Sequence, residues 1–250
     1  MVKGLNIFKN WFKEFSDHYV LIGGTAASIT MDQADIEFRP TKDLDMVLHI
    51  EMLTSEFGIK FWEFIQAGGY QIKARSQTDR PQIYRFQKPL DQSFPEMIEL
   101  FSRTLNSIKV APDSHLTPIP FDETASSLSA ILLDETYYGF VIDGRKVISD
   151  MPTWVAEDRL IPLKALAWMD MTQRKANGEE IDSKKIRKHL NDIVTLSGLL
   201  SPARVIAIPE KIANDLRQFI TTVRATSVLI ANKDINRTMS RIELSFDLQI

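Results

Sequence analysis

Apolar and polar positions follow two different patterns along the chain. Up to about Pro152, short apolar runs with strand-like spacing alternate with helical segments, whereas from Asp158 onward apolar residues recur at helical spacing. The first pattern predicts helices over residues 5–15, 25–31 and 55–67, and strands over 18–22, 44–50, 70–74, 82–87 and 96–101. The second predicts helices over residues 160–175, 182–200, 209–228 and 235–244.

A hairpin and a domain boundary complete this outline. Residues 137–142 and 146–148 flank Asp143-Gly144, a dipeptide that suits a tight turn, so a β-hairpin is expected there. Together the elements predict an α+β fold. We expect an N-terminal mixed β-sheet flanked by helices over residues 1–155, followed by a mainly helical C-terminal region over residues 156–250.

Composition narrows the class of protein only a little. The net charge is −3, so the surface as a whole does not favour nucleic acid, although a local patch could. The chain has no cysteine, which excludes disulfides and Cys-ligated zinc and fits a reducing cytoplasm. Residues 1–10 lack the apolar core of a signal peptide, and no apolar run reaches the ~18 residues of a membrane span. A cytoplasmic protein that does not enter the membrane is therefore expected.

Asp43 and Asp45 open the predicted strand over residues 44–50. Since side chains alternate along a strand, the two carboxylates point to one face while Leu44 and Met46 point to the other. Two like charges this close repel each other unless a cation lies between them. The pair therefore indicates a divalent metal site, against the simpler interpretation of a solvated strand start.

Gly23-Gly24 lies upstream, between a predicted strand and a predicted helix. Glycine allows a close approach of the backbone to phosphate, and the N-terminus of the following helix supplies N–H donors with a favourable dipole. A glycine pair alone is usually only a turn. Strand, Gly-Gly-Thr-Ala, helix and then Asp-x-Asp on a second strand form a more specific pattern, which indicates a phosphate-binding turn beside a metal-binding strand.

Glu99 is a third acidic candidate. It is surrounded by apolar residues of the predicted strand over 96–101, where a carboxylate is costly unless it is paired or bound to metal. If this strand neighbours the one with Asp43 and Asp45, three carboxylates converge. Such a cluster can hold one or two Mg²⁺ ions and so stabilise both oxygens of an in-line displacement.

The order of these motifs resembles a known enzyme superfamily. Gly23-Gly24-Thr25-Ala26, followed by Arg39, Thr41 and Asp43-Leu44-Asp45, is similar to the signature of the nucleotidyltransferase superfamily of DNA polymerase β. Within that superfamily the sequence most resembles the AbiEii-type nucleotidyltransferases, which are toxins of abortive-infection and toxin–antitoxin systems. The strong part of the resemblance covers residues 18–50.

The resemblance implies a nucleotidyltransferase-type sheet and transfer of a nucleoside monophosphate from an NTP such as ATP to a hydroxyl, with pyrophosphate leaving. It implies Mg²⁺, or Mn²⁺ in its place, as cofactor. Metal ligands and catalytic residues would be Asp43, Asp45 and Glu99, and nucleotide contacts would come from Gly23, Gly24, Thr25 and Thr41. The acceptor would be a tRNA 3′ end or a protein hydroxyl, and a cognate antitoxin would be a further partner.

Two residues of the helical region extend the resemblance. Lys164 lies within the apolar stripe of its predicted helix, so it either snorkels to solvent or faces an anion. The family carries a lysine on such a helix, which implies a nucleotide-phosphate contact. Asp192 shares a helix face with Lys185 and His189, and its two interpretations are a general base on the acceptor hydroxyl or a pairing with Lys188.

The helix that carries Asp192 is rich in basic residues. These residues could hold phosphate or an RNA acceptor, and a solvated helix face explains them at least as well: Lys184, Lys185, Arg187, Lys188 and His189.

The sequence is compatible with two alternative functions. One is a small-molecule nucleotidyltransferase, for example one that modifies an antibiotic, because such enzymes share the glycine turn and the paired aspartates. The other is a catalytically inactive protein of the same fold that binds a nucleotide or a partner. Retention of both Asp43 and Asp45 argues against the inactive protein.

Overall fold

The chain divides into two compact units, Met1–Val155 and Ala156–Ile250. The computed structural model describes residues 2–72, 85–103, 116–118, 129–201, 203–227 and 233–249. The first unit is mixed α/β and the second is helical, so the expected α+β class is confirmed.

The first unit contains four α-helices and nine strands within the described residues. The helices are α1 (Leu5–Trp11), α2 (Gly23–Asp32), α3 (Ser55–Gly68) and α4 (Glu135–Asp143), and two 3₁₀ segments span Lys13–His18 and Ile50–Met52. The strands are β1 (Tyr19–Ile22), β2 (Asp43–Leu48), β3 (Gln71–Ile72), β4 (Arg85–Gln87), β5 (Met97–Ser102), β6 (Leu116–Pro118), β7 (Ser129–Leu132), β8 (Arg145–Lys146) and β9 (Trp154–Val155).

The described strands form one mixed sheet in the order β3-β4-β5-β2-β1-β9-β8, with β7 also pairing with β5 and β6 with β7. Strand β2 lies between β1, which runs antiparallel to it, and β5, which runs parallel to it. Asp45 is the register partner of Ile22 in β1 and of Glu99 in β5. The topology therefore places the predicted acidic residues on neighbouring strands.

One face of this sheet is covered by aromatic side chains. Phe8 and Phe12 lie 5.8 and 5.3 Å from Phe64, measured between ring centroids. Phe61 is 5.4 Å from Phe86, which is a cross-strand neighbour of Ile98 on the buried face. Helices α1 and α3 therefore cover the side of the sheet opposite to the one that carries Asp43 and Asp45.

Local capping explains where α3 begins and ends. The Thr54 side chain accepts a hydrogen bond from the Phe57 backbone N–H, and Gly69 closes the helix in the left-handed region at φ 60°. The predicted end of this helix at the glycine pair is confirmed. The preceding helix, α1, is shorter than predicted, because Phe12 leaves helical geometry at φ −105° and the chain continues as a 3₁₀ segment.

The predicted hairpin over residues 137–148 is wrong. Residues 135–143 form α4, and the Asp134 carboxylate accepts hydrogen bonds from the backbone N–H groups of Thr136 and Tyr137 at its start. Apolar residues occupy nearly every position in the middle of this helix, so the sequence shows no clear helical period. The buried ones are Tyr137, Tyr138, Phe140, Val141 and Ile142. Strand β8 follows directly and pairs with β9 instead.

Parts of two predicted strands lie outside the described residues. The strand over 70–74 is seen as β3, with residues 73 and 74 outside the described range, and the strand over 82–87 is seen as β4, with residues 82–84 outside it.

The second unit consists of α5 (Glu157–Ala176), α6 (Ser183–Ser197), α7 (Glu210–Ser227) and α8 (Lys233–Ser245). All four correspond to predicted helices. Asp182 caps α6 by accepting a hydrogen bond from the Lys184 backbone N–H, and Trp168 of α5 packs edge-on against Phe219 of α7 at 5.3 Å. Among the described residues, none of the helices has the length and hydrophobicity to cross a membrane.

Candidate active site

Asp43 and Asp45 lie on the same face of β2. Both are half-buried, whereas Leu44 between them and Met46 after them are fully buried. The period-two prediction for this strand is therefore confirmed. Two carboxylates thus lie side by side on a face that solvent reaches.

The Asp45 carboxylate packs closely against Gly23. Gly23 has φ +67°, which a residue with a Cβ rarely adopts, and a Cβ built on it would lie 1.9 Å from Asp45 Oδ2. Only glycine leaves room for this carboxylate against the turn between β1 and α2. The glycine predicted as a phosphate contact is therefore also a packing partner of the predicted metal ligand.

Gly24 forms a similar close approach to the segment before β2. A Cβ on Gly24 would lie 2.6 Å from Thr41 Oγ1 and 3.6 Å from Arg39 Nη2. Thr41 is buried, and its backbone oxygen accepts a hydrogen bond from the Lys3 N–H at 3.3 Å. The second glycine therefore brings the first turn of α2 next to a threonine and an arginine of the predicted motif.

Thr25 ties this turn to β2. Its buried hydroxyl donates a hydrogen bond of 2.7 Å to the Asp43 backbone oxygen. The N-cap of α2 is Ile22, whose apolar side chain carries no capping oxygen. The N-terminal amides of α2 are thus fixed beside the two aspartates, while the Thr25 side chain itself is used to hold the two elements together.

Glu99 is the register partner of Asp45 on the neighbouring strand, and it has a cationic partner. Arg85, its register partner on β4, donates from Nε to Glu99 Oε1 at 2.5 Å, and Arg85 Nη2 also contacts that oxygen. Among the described residues, no group of three or more His, Cys, Asp or Glu side chains is arranged to hold a metal ion. The role of Glu99 as a third metal ligand stays a prediction.

Asp43 and Asp45 by themselves fit Mg²⁺. This ion commonly takes one or two protein carboxylates and fills its remaining positions with water and substrate phosphate oxygens. The two half-buried carboxylates supply the oxygen ligands, and the glycine beneath Asp45 leaves no side chain between that carboxylate and the turn.

Lys164 and Asp192 belong to the helical unit and bind each other. Lys164 Nζ lies 2.8 Å from Asp192 Oδ2, and the two residues are 4% and 2% exposed. Of the two interpretations of Lys164, snorkelling is wrong because the ammonium is buried. The anion that it faces is a carboxylate of the next helix, and its predicted contact with nucleotide phosphate stays a prediction.

The basic residues of α6 are solvated. Lys184, Lys185, Arg187 and Lys188 are all exposed on the helix surface. Exposure agrees with both interpretations of these residues and favours neither.

The sequence analysis did not identify Arg85 as the partner of Glu99. Arg85 is a charged residue between apolar neighbours in a predicted strand, which is the same signal that identified Glu99 in the adjacent strand. Opposite charges inside two neighbouring strands indicate a cross-strand pair, but the strand order needed to join them is not visible in the sequence.

Comparison with known proteins adds little to this geometry. No protein-family model matches the chain, and no curated protein matches it at a significant level. Among solved structures, the chain is similar to the crystal structure of an antigenic nucleotidyltransferase-like protein from Paracoccidioides brasiliensis. The identity is 11%, the TM-score is 0.45, and the match covers 95% of this chain and 90% of that chain. A similarity this distant assigns no activity to the chain.

Proposed function

We propose that the protein is a Mg²⁺-dependent nucleotidyltransferase that transfers a nucleoside monophosphate from an NTP to a hydroxyl acceptor. The observation that supports this most is the packing of the Asp45 carboxylate on Gly23, because it joins the paired aspartates to the glycine turn at the start of α2. In this proposal the arrangement would bring a metal-binding face and a phosphate-binding turn together at one place.

The residues at this place divide the work of binding the donor. Asp43 and Asp45 would hold the metal, which when bound neutralises phosphate charge and orients the triphosphate. The N-terminal amides of α2, beginning at Gly23 and Gly24, would donate to phosphate oxygens, because a helix N-terminus favours anions. Thr25 keeps those amides in register with β2 through its bond to the Asp43 backbone.

The reaction is an in-line displacement at the α-phosphorus. A bond forms between the acceptor hydroxyl oxygen and the α-phosphorus. The bond from the α-phosphorus to the oxygen that links it to the β-phosphorus breaks. Pyrophosphate leaves with the electron pair, and the hydroxyl proton passes to a base. The protein contributes chiefly position and charge neutralisation.

Finer features follow from the sequence resemblance alone. A tRNA 3′ end or a protein hydroxyl as acceptor, Asp192 as general base, a toxin role and a cognate antitoxin are parts of the proposal that rest on the resemblance. The Asp192 carboxylate already binds Lys164 through Oδ2. To act as a general base it would have to release the ammonium, or accept the proton on its other carboxylate oxygen.

Labelled donors test the reaction type. The protein is incubated with Mg²⁺, total tRNA, a protein extract and each NTP, labelled either at the α- or at the γ-phosphate. We expect label in the acceptor from the α-labelled NTP only, with release of pyrophosphate. Transfer from the γ-labelled NTP that depends on the added protein would show a kinase, and absence of any protein-dependent transfer from the α-labelled NTP to either acceptor would contradict the proposal.

A further inference from the structure

Three strands carry charged residues in one cross-strand row. Arg85 of β4 is the register partner of Glu99 of β5, and Glu99 is the register partner of Asp45 of β2. All three are partly exposed, whereas the residues next to them along each strand, Phe86, Ile98 and Leu44 among them, are buried. The row therefore lies on the face that carries the proposed metal site.

The pair of Arg85 and Glu99 presents its cation rather than its anion. The Glu99 side chain is 14% exposed and the Arg85 side chain 35% exposed. One carboxylate oxygen of Glu99 accepts a hydrogen bond from Nε of the guanidinium and also contacts its Nη2. Because the guanidinium already compensates this charge, Glu99 does not need a metal cation to be accommodated in the strand.

The position of Arg85 suits a contact with the triphosphate of the proposed NTP donor. It lies two strand spacings from Asp45, about 10 Å between backbones. A triphosphate carries more negative charge than one divalent metal neutralises. A guanidinium has a planar set of N–H donors that suits phosphate oxygens, and a carboxylate partner fixes its plane.

We propose that Arg85 contacts the phosphate oxygens of the bound NTP, and that Glu99 is a positioning residue that holds Arg85 for this contact. In this arrangement the site has one metal, at Asp43 and Asp45, and the Arg85 guanidinium supplies the second cationic group of the row. This inference rests on the proposed function, since it names a donor contact of that same site.

Nucleotide binding separates this role from a merely structural ion pair. The pair is mostly buried, so Arg85→Gln is expected to lower the melting temperature, and NTP binding is therefore measured well below the melting temperature of the variant. The variant's affinity for the Mg²⁺ complex of the preferred NTP, measured by calorimetry, is expected to fall about tenfold or more, as for loss of a hydrogen bond to a charged group. Arg85→Lys is expected to lie between the wild type and Arg85→Gln.

Lys146→Gln is the matched control. Lys146 is an exposed cation at the far edge strand of the same sheet, so its replacement removes the same charge at a distance from the site. Its affinity for the NTP is expected to equal that of the wild type.

Glu99→Gln tests the positioning role. We expect a raised KM for the NTP and an unchanged Mg²⁺ concentration at half-maximal rate, whereas a metal ligand would shift the Mg²⁺ requirement as Asp45→Asn does. The inference is overturned if Arg85→Gln binds NTP as Lys146→Gln does, or if Glu99→Gln shifts the Mg²⁺ requirement. In both cases the wild type still binds and transfers, so the proposed function stands. If the wild type binds no NTP at all, both proposals fail.

Discussion

The Asp45 carboxylate of β2 lies directly against Gly23, in the turn that joins β1 to α2. The carboxylate occupies the space where any other residue at position 23 would place its Cβ, 1.9 Å from Oδ2. Gly23 is also held at φ +67°. The glycine is therefore required twice, once for its backbone conformation and once for the carboxylate above it.

Gly23→Ala is expected to disturb both fold and site. The left-handed conformation and the overlap with Asp45 together predict a loss of about 2–5 kcal/mol in the free energy of unfolding. Displacement of the carboxylate is further expected to abolish Mg²⁺-dependent NTP binding. Chemical denaturation and calorimetry measure the two effects.

Gly178→Ala is the control for Gly23→Ala. Gly178 has φ +93°, but no heavy atom lies within 4 Å of a Cβ built there. Its replacement isolates the conformational cost, about 1–2 kcal/mol, and leaves NTP binding intact. Equal losses of stability and equal NTP affinity in the two variants would contradict the role given to the Asp45 contact.

The buried pair of Lys164 and Asp192 is expected to behave as a unit in folding. Lys164→Met leaves the Asp192 carboxylate buried without its ammonium partner, so the free energy of unfolding should fall by about 3–5 kcal/mol. Lys164→Met combined with Asp192→Leu removes both charges and should recover much of that loss. Denaturation of the single and double variants gives the coupling energy; additive losses would show that the two side chains do not stabilise each other.

Helix α4 replaces the expected hairpin, and Gly139 provides a test of it. A Cβ at Gly139 meets no atom within 4 Å, so Gly139→Ala should raise stability by about 0.5–1 kcal/mol, because alanine favours a helix interior. Asp134→Ala should lower stability by about 1 kcal/mol through loss of the N-cap, and Asp134→Asn should retain most of it. A destabilising Gly139→Ala together with a neutral Asp134→Ala would favour the hairpin instead.

His18 is expected to make stability depend on pH. Burial lowers the pKa of its imidazole below the ordinary 6.5, with His49 acting in the same direction and Asp17 and Glu56 against it. Since the folded chain binds the proton less readily than the unfolded chain, stability should fall as the pH drops below about 6.5 and level off beneath the folded pKa.

His18→Phe removes this titration and keeps a ring against Phe57, on which His18 stacks at 5.3 Å. Melting temperatures at about pH 7.5 and about pH 5.5 measure the effect. The variant should lose less stability between these pH values than the wild type does; an equal or larger loss would show that His18 does not cause the dependence.

Local signals made much of the site predictable from the sequence. The alternation around Leu44 placed Asp43 and Asp45 on one face, and the glycine pair placed the start of α2. Both depend on residues close together in the chain. The adjacency of Asp45 and Glu99 depended on strand order, which the sequence suggested only through the chemistry that the two carboxylates would share.

Partners distant in sequence were not predictable. Lys164 and Asp192 are separated by 28 residues, and a single sequence gives no signal that two helices face each other at these positions. Arg85 and Glu99 pair through a strand order that only the folded sheet reveals. Helix α4 was missed because tertiary packing buries nearly all of its side chains and so removes the helical period.

The rate of label transfer from an α-labelled NTP by Asp45→Asn shows directly whether this carboxylate is needed to hold the metal. The substitution keeps the size of the side chain above Gly23 and removes the charge that would hold Mg²⁺. The exposed Asp143, which ends α4, provides the matched control Asp143→Asn. We predict that Asp45→Asn folds normally and lowers the rate by about a hundredfold or more, while Asp143→Asn retains wild-type activity. Transfer by Asp45→Asn at the wild-type rate and with the wild-type Mg²⁺ requirement would show that Asp45 holds no catalytic metal and that the protein is not the proposed Mg²⁺-dependent transferase.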